Sequence, residues 1–347
     1  SPRIGLSFPV TNNTVFHAQY GKFIQLPSLE FLYTGRQQVE YYVNNAGFFS
    51  VFGNPNLNPE KTTSYEIGVK QQVGSSLSVD VTAYYKETED LIGITKYPQL
   101  PNQIQVYANQ DYGTLRGFDL SFDMRRTARL SANIALGLAF ASGTGSDPNS
   151  GSNAAWLGDR VPKLTSPLDY DQRWTGVVNL DYRFGKTDVP KGFMGDVLSQ
   201  FGVNLLYTFN SGRPYSIKAN NIDPFAGSGN AGATLLSPIN GAYGPWNNRL
   251  DLKVDKTFPV WKVNVNAYIY VINLLNSELV NDVWESSGLP GSTGYLDSEA
   301  GKSSIAQYSN RPGLSSEEYV RLYNLRSKAV ANYGPPREVR FGLRMNF

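Results

Sequence analysis

Apolar and polar positions alternate with period two along most of the chain. In residues 77–85, Leu77, Val79, Val81, Ala83 and Tyr85 share one face, and Ser78, Asp80, Thr82 and Tyr84 share the other. Leu250, Leu252 and Val254 alternate with Arg249, Asp251, Lys253 and Asp255. Val263, Val265, Ala267, Ile269 and Val271 stand opposite Lys262, Asn264 and Asn266. At the C-terminal end, Val339, Phe341, Leu343, Met345 and Phe347 interleave with Glu338, Arg340, Gly342, Arg344 and Asn346. Residues 116–125 and 130–140 repeat the pattern, and 4–9, 14–23, 63–73, 174–184 and 201–209 follow it less cleanly. Successive side chains of a strand point to opposite faces, so each segment predicts a two-faced strand. The chain yields about eleven, most able to reach the roughly 9–11 residues of a tilted membrane-crossing strand.

Short and long connections alternate between these strands. Val10–Asn13, Gly74–Ser76, Arg126–Arg129 and the stretch around Pro259 predict tight turns, and 185–199 is intermediate. Residues 24–61, 93–104, 143–169, 211–246 and 276–336 predict long polar loops. Trimmed turns at one end and overgrown loops at the other are the habit of outer-membrane barrels, with short periplasmic turns and long extracellular loops.

Composition narrows the choice. Charged residues are 17% of the 347 and aromatics 13%, with 22 Tyr, 18 Phe and 5 Trp. There is no Cys and one His, His17, which excludes disulfides, thiol catalysis and a histidine metal cluster. A net charge of +2 gives no basis for nucleic-acid binding. No apolar run reaches about 18 residues, and the chain opens on Ser1-Pro2-Arg3 without a basic segment leading into an apolar one. The membrane option left is a β-barrel. A soluble β-sandwich or propeller shows the same alternation. Three features favour the barrel. The Arg249-Asp251-Lys253-Asp255 face suits a lumen. Aromatics gather toward strand ends, with Tyr182, Phe184, Phe258, Trp261 and Phe347 at the short-turn end and Phe140, Trp174, Tyr207 and Phe209 toward the other. No repeat of 40–50 residues is visible. One segment departs from β structure. Ser315-Ser316-Glu317-Glu318 has the form of a capping box and predicts a helix to about Ala331, stopped by Gly334-Pro335-Pro336.

Several motifs resemble the TonB-dependent receptors of Gram-negative outer membranes. Asn54-Pro55-Asn56-Leu57-Asn58-Pro59-Glu60, followed by a strand through Gly68, is similar to that family's mid-barrel signature. Tyr84-Tyr85-Lys86 with Asp90-Leu91-Ile92 fits the next strand, and Arg116-Gly117-Phe118-Asp119 the start of another. Asn273-Leu274-Leu275-Asn276 resembles the penultimate strand's Asn-Leu-Phe-Asn, with Leu for Phe, and the chain ends on Phe347. Pro167-Leu168-Asp169-Tyr170-Asp171-Gln172-Arg173 resembles the subgroup whose N-terminal extension is similar to a carboxypeptidase regulatory domain.

The resemblance implies a barrel of 22 strands around an N-terminal plug, with a segment that contacts TonB. On that reading residues 1–347 are the C-terminal part of the barrel, about eleven strands, and the plug is absent from this chain. The implied role is uptake of an unidentified ligand across the outer membrane, in contact with outer-membrane lipid, the TonB complex through the absent N-terminal part, and the barrel-assembly machinery. Phe347 is the expected assembly signal. A passive pore or a structural surface barrel without energy coupling stays open.

No enzyme, cofactor or metal site is expected. His17 reads as a lumen-facing polar residue. Asp147-Pro148-Asn149-Ser150-Gly151-Ser152-Asn153 lacks EF-hand spacing and reads as a loop. Glu87, Glu89 and Asp90 read as solvated or ion-paired carboxylates. The ligand-contact candidates lie in or beside the long loops: Trp156, Asp159, Arg160, Tyr215, Tyr243, Trp246 and Trp284.

Overall fold

A computed structural model describes residues 1–35, 37, 40–41, 44, 51–97, 104–151, 163–186, 188–226, 233–260, 263–309 and 315–346. Eleven strands follow one another in a single hydrogen-bonded order. They are β1 (Arg3–Thr11), β2 (Thr14–Gln25), β3 (Glu60–Val73), β4 (Leu77–Tyr97), β5 (Ile104–Thr127), β6 (Leu130–Gly143), β7 (Trp174–Arg183), β8 (Phe201–Asn210), β9 (Asn247–Val260), β10 (Val263–Ile272) and β11 (Glu338–Asn346). Spatial order equals chain order, and the pairs β1–β2 and β6 through β11 are antiparallel. Among the described residues β1 bonds only β2 and β11 only β10, so the sheet is all-β and open at both ends.

The strands divide between two compact units. One comprises 1–69, 82–118 and 139–171, and the other 70–81, 119–138 and 172–347. In the first, Ile4, Leu6, Phe8 and Val10 form an exposed apolar strip along β1. In the second, Val339, Phe341, Leu343 and Met345 do the same along β11, with Phe341 74% exposed. The polar face behaves in the opposite way: Asp251 and Asp255 are 1% and 4% exposed. A water-soluble sheet buries the apolar face, and monomeric soluble proteins rarely expose large apolar patches. Here the faces are inverted, which separates a lipid-facing sheet from a sandwich. Each unit also carries aromatics at two levels. Phe8 packs on Phe16 near the first turn, and Tyr20, Tyr65 and Tyr85 form a row farther up. In the second unit Tyr182 packs on Phe184 at the short-turn end, and Phe209 on Tyr207 and Trp246 at the long-loop end.

The polar face is held by side chains that reach across a neighbouring strand. His17 on β2 passes over Gly68 on β3 to Thr82 on β4, with Nε2 3.3 Å from Oγ1. Arg183 on β7 passes over Gly202 on β8 to Asp255 on β9, donating from both terminal nitrogens at 2.9 and 2.8 Å. A Cβ at Gly202 would lie 2.7 Å from that guanidinium, so glycine leaves the crossing open.

Two expectations are corrected. Residues 93–97 are strand rather than loop: β4 continues to Tyr97, and β5 begins at Ile104. Gln105 and Val106 at the start of β5 pair with a short parallel strand, Val51–Phe52, and Ile92, Ile94, Leu57 and Leu168 are buried in this unit. Burial of Ile92 and Ile94 is what local alternation could not show. Pro259 lies inside β9, opposite Asn264, rather than in the turn. At the last position but one it removes a single donor near the strand end, where proline is tolerated.

The capping-box helix is present as Ser316–Ser327, α3 here, after α1 (Phe193–Leu198) and α2 (Glu299–Ser309). The Ser315 hydroxyl accepts the Glu318 N–H at 3.1 Å. The helix ends at Ser327, and a 3₁₀ turn covers Val330–Asn332. Ser315→Ala removes the cap and costs α3 about 1 kcal/mol. Amide hydrogen exchange in 316–320 should speed up several-fold while exchange in β9 is unchanged. Equal protection in both proteins would refute the cap.

Candidate functional site in the second unit

The registers of β7, β8 and β9 assemble a polar patch at the long-loop end. Thr175 stands opposite Asn210 and Asn210 opposite Asn247; one row on, Val177, Thr208 and Arg249 align. The loop after β10 roofs this patch. Asn247 donates its amide to the Val280 carbonyl at 2.8 Å and accepts the Val280 N–H at 2.6 Å. The Gly334 N–H bonds the Leu279 carbonyl, and Asn281 bonds the carbonyl of Tyr333. Beneath the roof is a cavity of about 380 Å³ lined by Thr175, Thr208, Asn210, Arg249, Asn281 and Pro335, among others.

Arg249 is its one cationic lining residue. Its Nε lies 3.2 Å from Asp251 Oδ1, is wholly enclosed, and makes no hydrogen bond among the described residues. Asp251 Oδ1 is already engaged by the Asn273 N–H at 2.8 Å. The pair is therefore an ion pair without good hydrogen-bond geometry. A guanidinium fork beside hydroxyls and amides offers donors for the oxygens of a polar ligand. The sequence placed Arg249 on a lumen-facing strand face, but it did not single out these residues as ligand contacts. The signal that could have found them is the Asn247-Asn248-Arg249 run where a long loop becomes a strand.

The loop aromatics divide. Tyr215 and Tyr243 come together in a two-residue ladder, Pro214 opposite Tyr243 and Tyr215 opposite Ala242. Arg173 donates to the Tyr243 hydroxyl at 2.6 Å and lies 5.1 Å from its ring centre. Trp246 stacks on Phe209 at 6.3 Å and stays half exposed. Trp284 sits inside the last loop: its indole N–H donates to the Ser327 carbonyl at 2.8 Å and its ring meets Phe225 edge-on. Trp156, Asp159, Arg160 and Phe347 lie outside the described residues. The Asp147 carboxylate is spent within its own turn, accepting from the Asn149 N–H and the Ser150 hydroxyl.

The head of the last loop is built on tyrosines. Tyr319 stacks on Tyr308 at 4.2 Å, and Tyr323 bonds Thr293 and Asp223. Burial, with Asp223 adding to it, pushes the Tyr319 phenol up to about 12 and raises Tyr323 as well. A raised folded value favours the neutral ring. The associated stability is whole below the ordinary value near 10 and is lost as pH rises from there through about 12. Absorbance titration at 295 nm should show tyrosines lagging in the native protein, and Tyr319→Phe should remove part of the lag. Titration of every tyrosine near 10 would contradict the packed head.

The family model described as "TonB dependent receptor-like, beta-barrel" matches residues 1–274. The chain belongs to the TonB-dependent receptor family. Its barrels are outer-membrane proteins. Among solved structures, this receptor barrel is similar to P. aeruginosa FpvA bound to heterologous pyoverdines, at 11% identity and a TM-score of 0.56, over 99% of this chain and 32% of that one. It is also similar to the FpvAI–pyocin S2 complex, at 12% identity and a TM-score of 0.55, over 99% of this chain and 33% of that one. The outer-membrane transporter YddB from Escherichia coli matches at 14% identity and a TM-score of 0.51, over 77% of this chain and 35% of that one. The receptor chain thus spans about a third of the length of these structures. No curated protein matches it in sequence.

Proposed function

We propose that residues 1–347 are the C-terminal part of the barrel of a TonB-coupled outer-membrane importer, whose polar inner face and long loops bind the ligand. The observation that carries the reading is the inverted sheet itself. Its apolar strips are exposed, Asp251 and Asp255 are enclosed, and its polar cavity lies at the long-loop end, where an external ligand arrives. In this reading the inner membrane supplies energy through TonB at a segment outside this chain. A plug outside this chain gates the lumen, the barrel-assembly machinery inserts the strands with Phe347 as signal, and Tyr215, Tyr243 and Trp246 stand beside the ligand path. The FpvA structure is described as carrying pyoverdine and iron, and at 11% identity that likeness extends to the fold, not to the ligand.

The test is cross-linking in cells between TonB and the complete product of the gene that encodes this chain. Cross-links that disappear when TonB is removed support energy coupling. Their absence, together with steady ion conductance of that product in planar bilayers, would establish the passive pore instead. The 347 residues alone, reconstituted in liposomes, should give no single-channel conductance, because unpaired strand edges are costly in hydrocarbon.

A further inference from the structure

The connection between β7 and β8 carries a helix on the outward side of the second unit. The chain leaves the sheet at Gly185 and returns at Gln200, whose N–H bonds the Gly185 carbonyl. Between them lies α1, Phe193–Leu198. At about 100° per residue, Phe193, Val197 and Met194 fall within one arc of about 100°. All three are exposed, Phe193 at 80%. Gly195 faces the other way and is buried, and a Cβ there would collide with the Pro190 carbonyl oxygen. The helix packs its glycine side on its own loop and leaves its apolar side bare.

Two clamps fix where that bare side stands. Asp255 belongs to the enclosed polar face, so Lys256 projects from the outward face, which it shares with exposed Phe258. Its ammonium lies 5.3 Å from the Phe258 ring centre and donates to the carbonyls of Asp196, Val197 and Ser199 at 2.6, 2.6 and 3.2 Å. A cation at the C-terminal carbonyls of a helix is favourable. Ahead of the helix, Arg129 lies 4.5 Å from the Phe184 ring centre and holds the Asp188 carboxylate through Nε and a terminal nitrogen at 2.7 and 2.9 Å. Phe184 packs on Tyr182, and Tyr182, Val203 and Val254 align across three strands on the outward face. Both clamps therefore tie α1 to the outward aromatic tier at the short-turn end, and its bare side extends the apolar face of the sheet.

The charges agree with that position. The arc of Phe193, Val197 and Met194 holds no ionisable group. Lys186, Lys191 and Asp196 are exposed around it, Asp188 is paired with Arg129, and Lys256 is engaged by the three carbonyls. Asp196 stands about 160° around the helix from Met194.

We propose that α1 is an interfacial anchor, lying in the plane of the periplasmic leaflet of the outer membrane with Phe193, Met194 and Val197 among the acyl chains and Asp196 in water. The short turns of such barrels are periplasmic, and their aromatic tiers sit at headgroup level. A helix tied to that tier from the outward side meets lipid, and interfacial helices bury their apolar face about 5–10 Å into the headgroup boundary. The contact is with the chains, so it requires no particular headgroup.

The test uses the complete receptor, with any cysteines outside residues 1–347 replaced by serine and a nitroxide label on Met194→Cys or on Asp196→Cys. The receptor is reconstituted in liposomes of dioleoylphosphatidylcholine, a lipid without net charge, and heat-modifiable gel migration verifies folding. Electron paramagnetic resonance reports collisions with oxygen, which concentrates in hydrocarbon, and with a water-soluble nickel chelate. At 194 oxygen should dominate and place the label about 5–10 Å below the headgroups, whereas at 196 nickel collisions should be several-fold more frequent than at 194. Nickel collisions as frequent at 194 as at 196 would put the helix in water and overturn the anchor. Exclusion of both probes at 194 would show that protein covers the bare side, and would overturn lipid as its occupant.

Discussion

Leu343→Arg should cost the assembled barrel about 2–4 kcal/mol if the position lies near the bilayer midplane, and less toward the interface. Leu343 stands on the exposed apolar strip of β11, opposite Ala267, and is 70% exposed. Its neighbour Arg344 pairs with Asn266 on the other face. In hydrocarbon a charge at 343 has no partner, whereas 344 already carries one. The measurement is the outer-membrane level of the complete receptor for Leu343→Arg and for Arg344→Leu, with synthesis rates matched. Assembly should fall steeply for the first and little for the second. Equal tolerance at the two positions would overturn the facing assignment, because successive side chains of a strand point to opposite faces.

A comparable loss is expected on the inner face. Asp255 accepts both terminal nitrogens of Arg183 and the Asn266 amide at 2.8 Å. Removing one member of a buried pair leaves the other uncompensated, at roughly 3–5 kcal/mol when both are enclosed. Arg183 is 38% exposed, so water screens it, and about 2 kcal/mol is the expected cost of Asp255→Ala. The partner change Arg183→Met should then cost little more when added to Asp255→Ala. Guanidinium unfolding of the two single variants and the double variant in lipid provides the cycle. Strict additivity would show that the crossing over Gly202 holds nothing together.

Most of this architecture can be read from local alternation, because a strand in a bilayer must keep one face apolar whatever its neighbours do. The eleven strands, the turns at Asn12-Asn13 and Gly74–Ser76, and the lipid face of β11 all follow from that rule. It loses force beyond the membrane. Residues 93–97 continue the strand with Ile92 and Ile94 buried, and burial is a tertiary condition that no window of sequence contains. Helix α2 also escaped notice, since Gly301 and three serines give it weak intrinsic preference. Its one local signal is Ser298, whose hydroxyl accepts the Gly301 N–H. The polar cavity depends on Thr175, Asn210 and Asn247 meeting across three strands and on Leu279 and Gly334 closing over them. Pairing of this kind is a property of register and loop return. The aromatic candidates were visible by type, yet type alone could not separate Trp246, half exposed, from Trp284, bonded into the loop's interior.

The pinning of the last loop has a consequence for how fast and how tightly a ligand can be held. Its two legs are joined where Asn281 N–H meets the Asn332 carbonyl and Gly334 N–H meets that of Leu279, and Asn247 fastens one leg to β9. A free loop of this length would have to surrender its conformational freedom upon capture, at about 1–2 kcal/mol per residue fixed. Here that entropy is lost during folding, before any ligand arrives. Encounter can then proceed against a shaped surface instead of waiting for one to form, and more of the contact energy is left to appear as affinity.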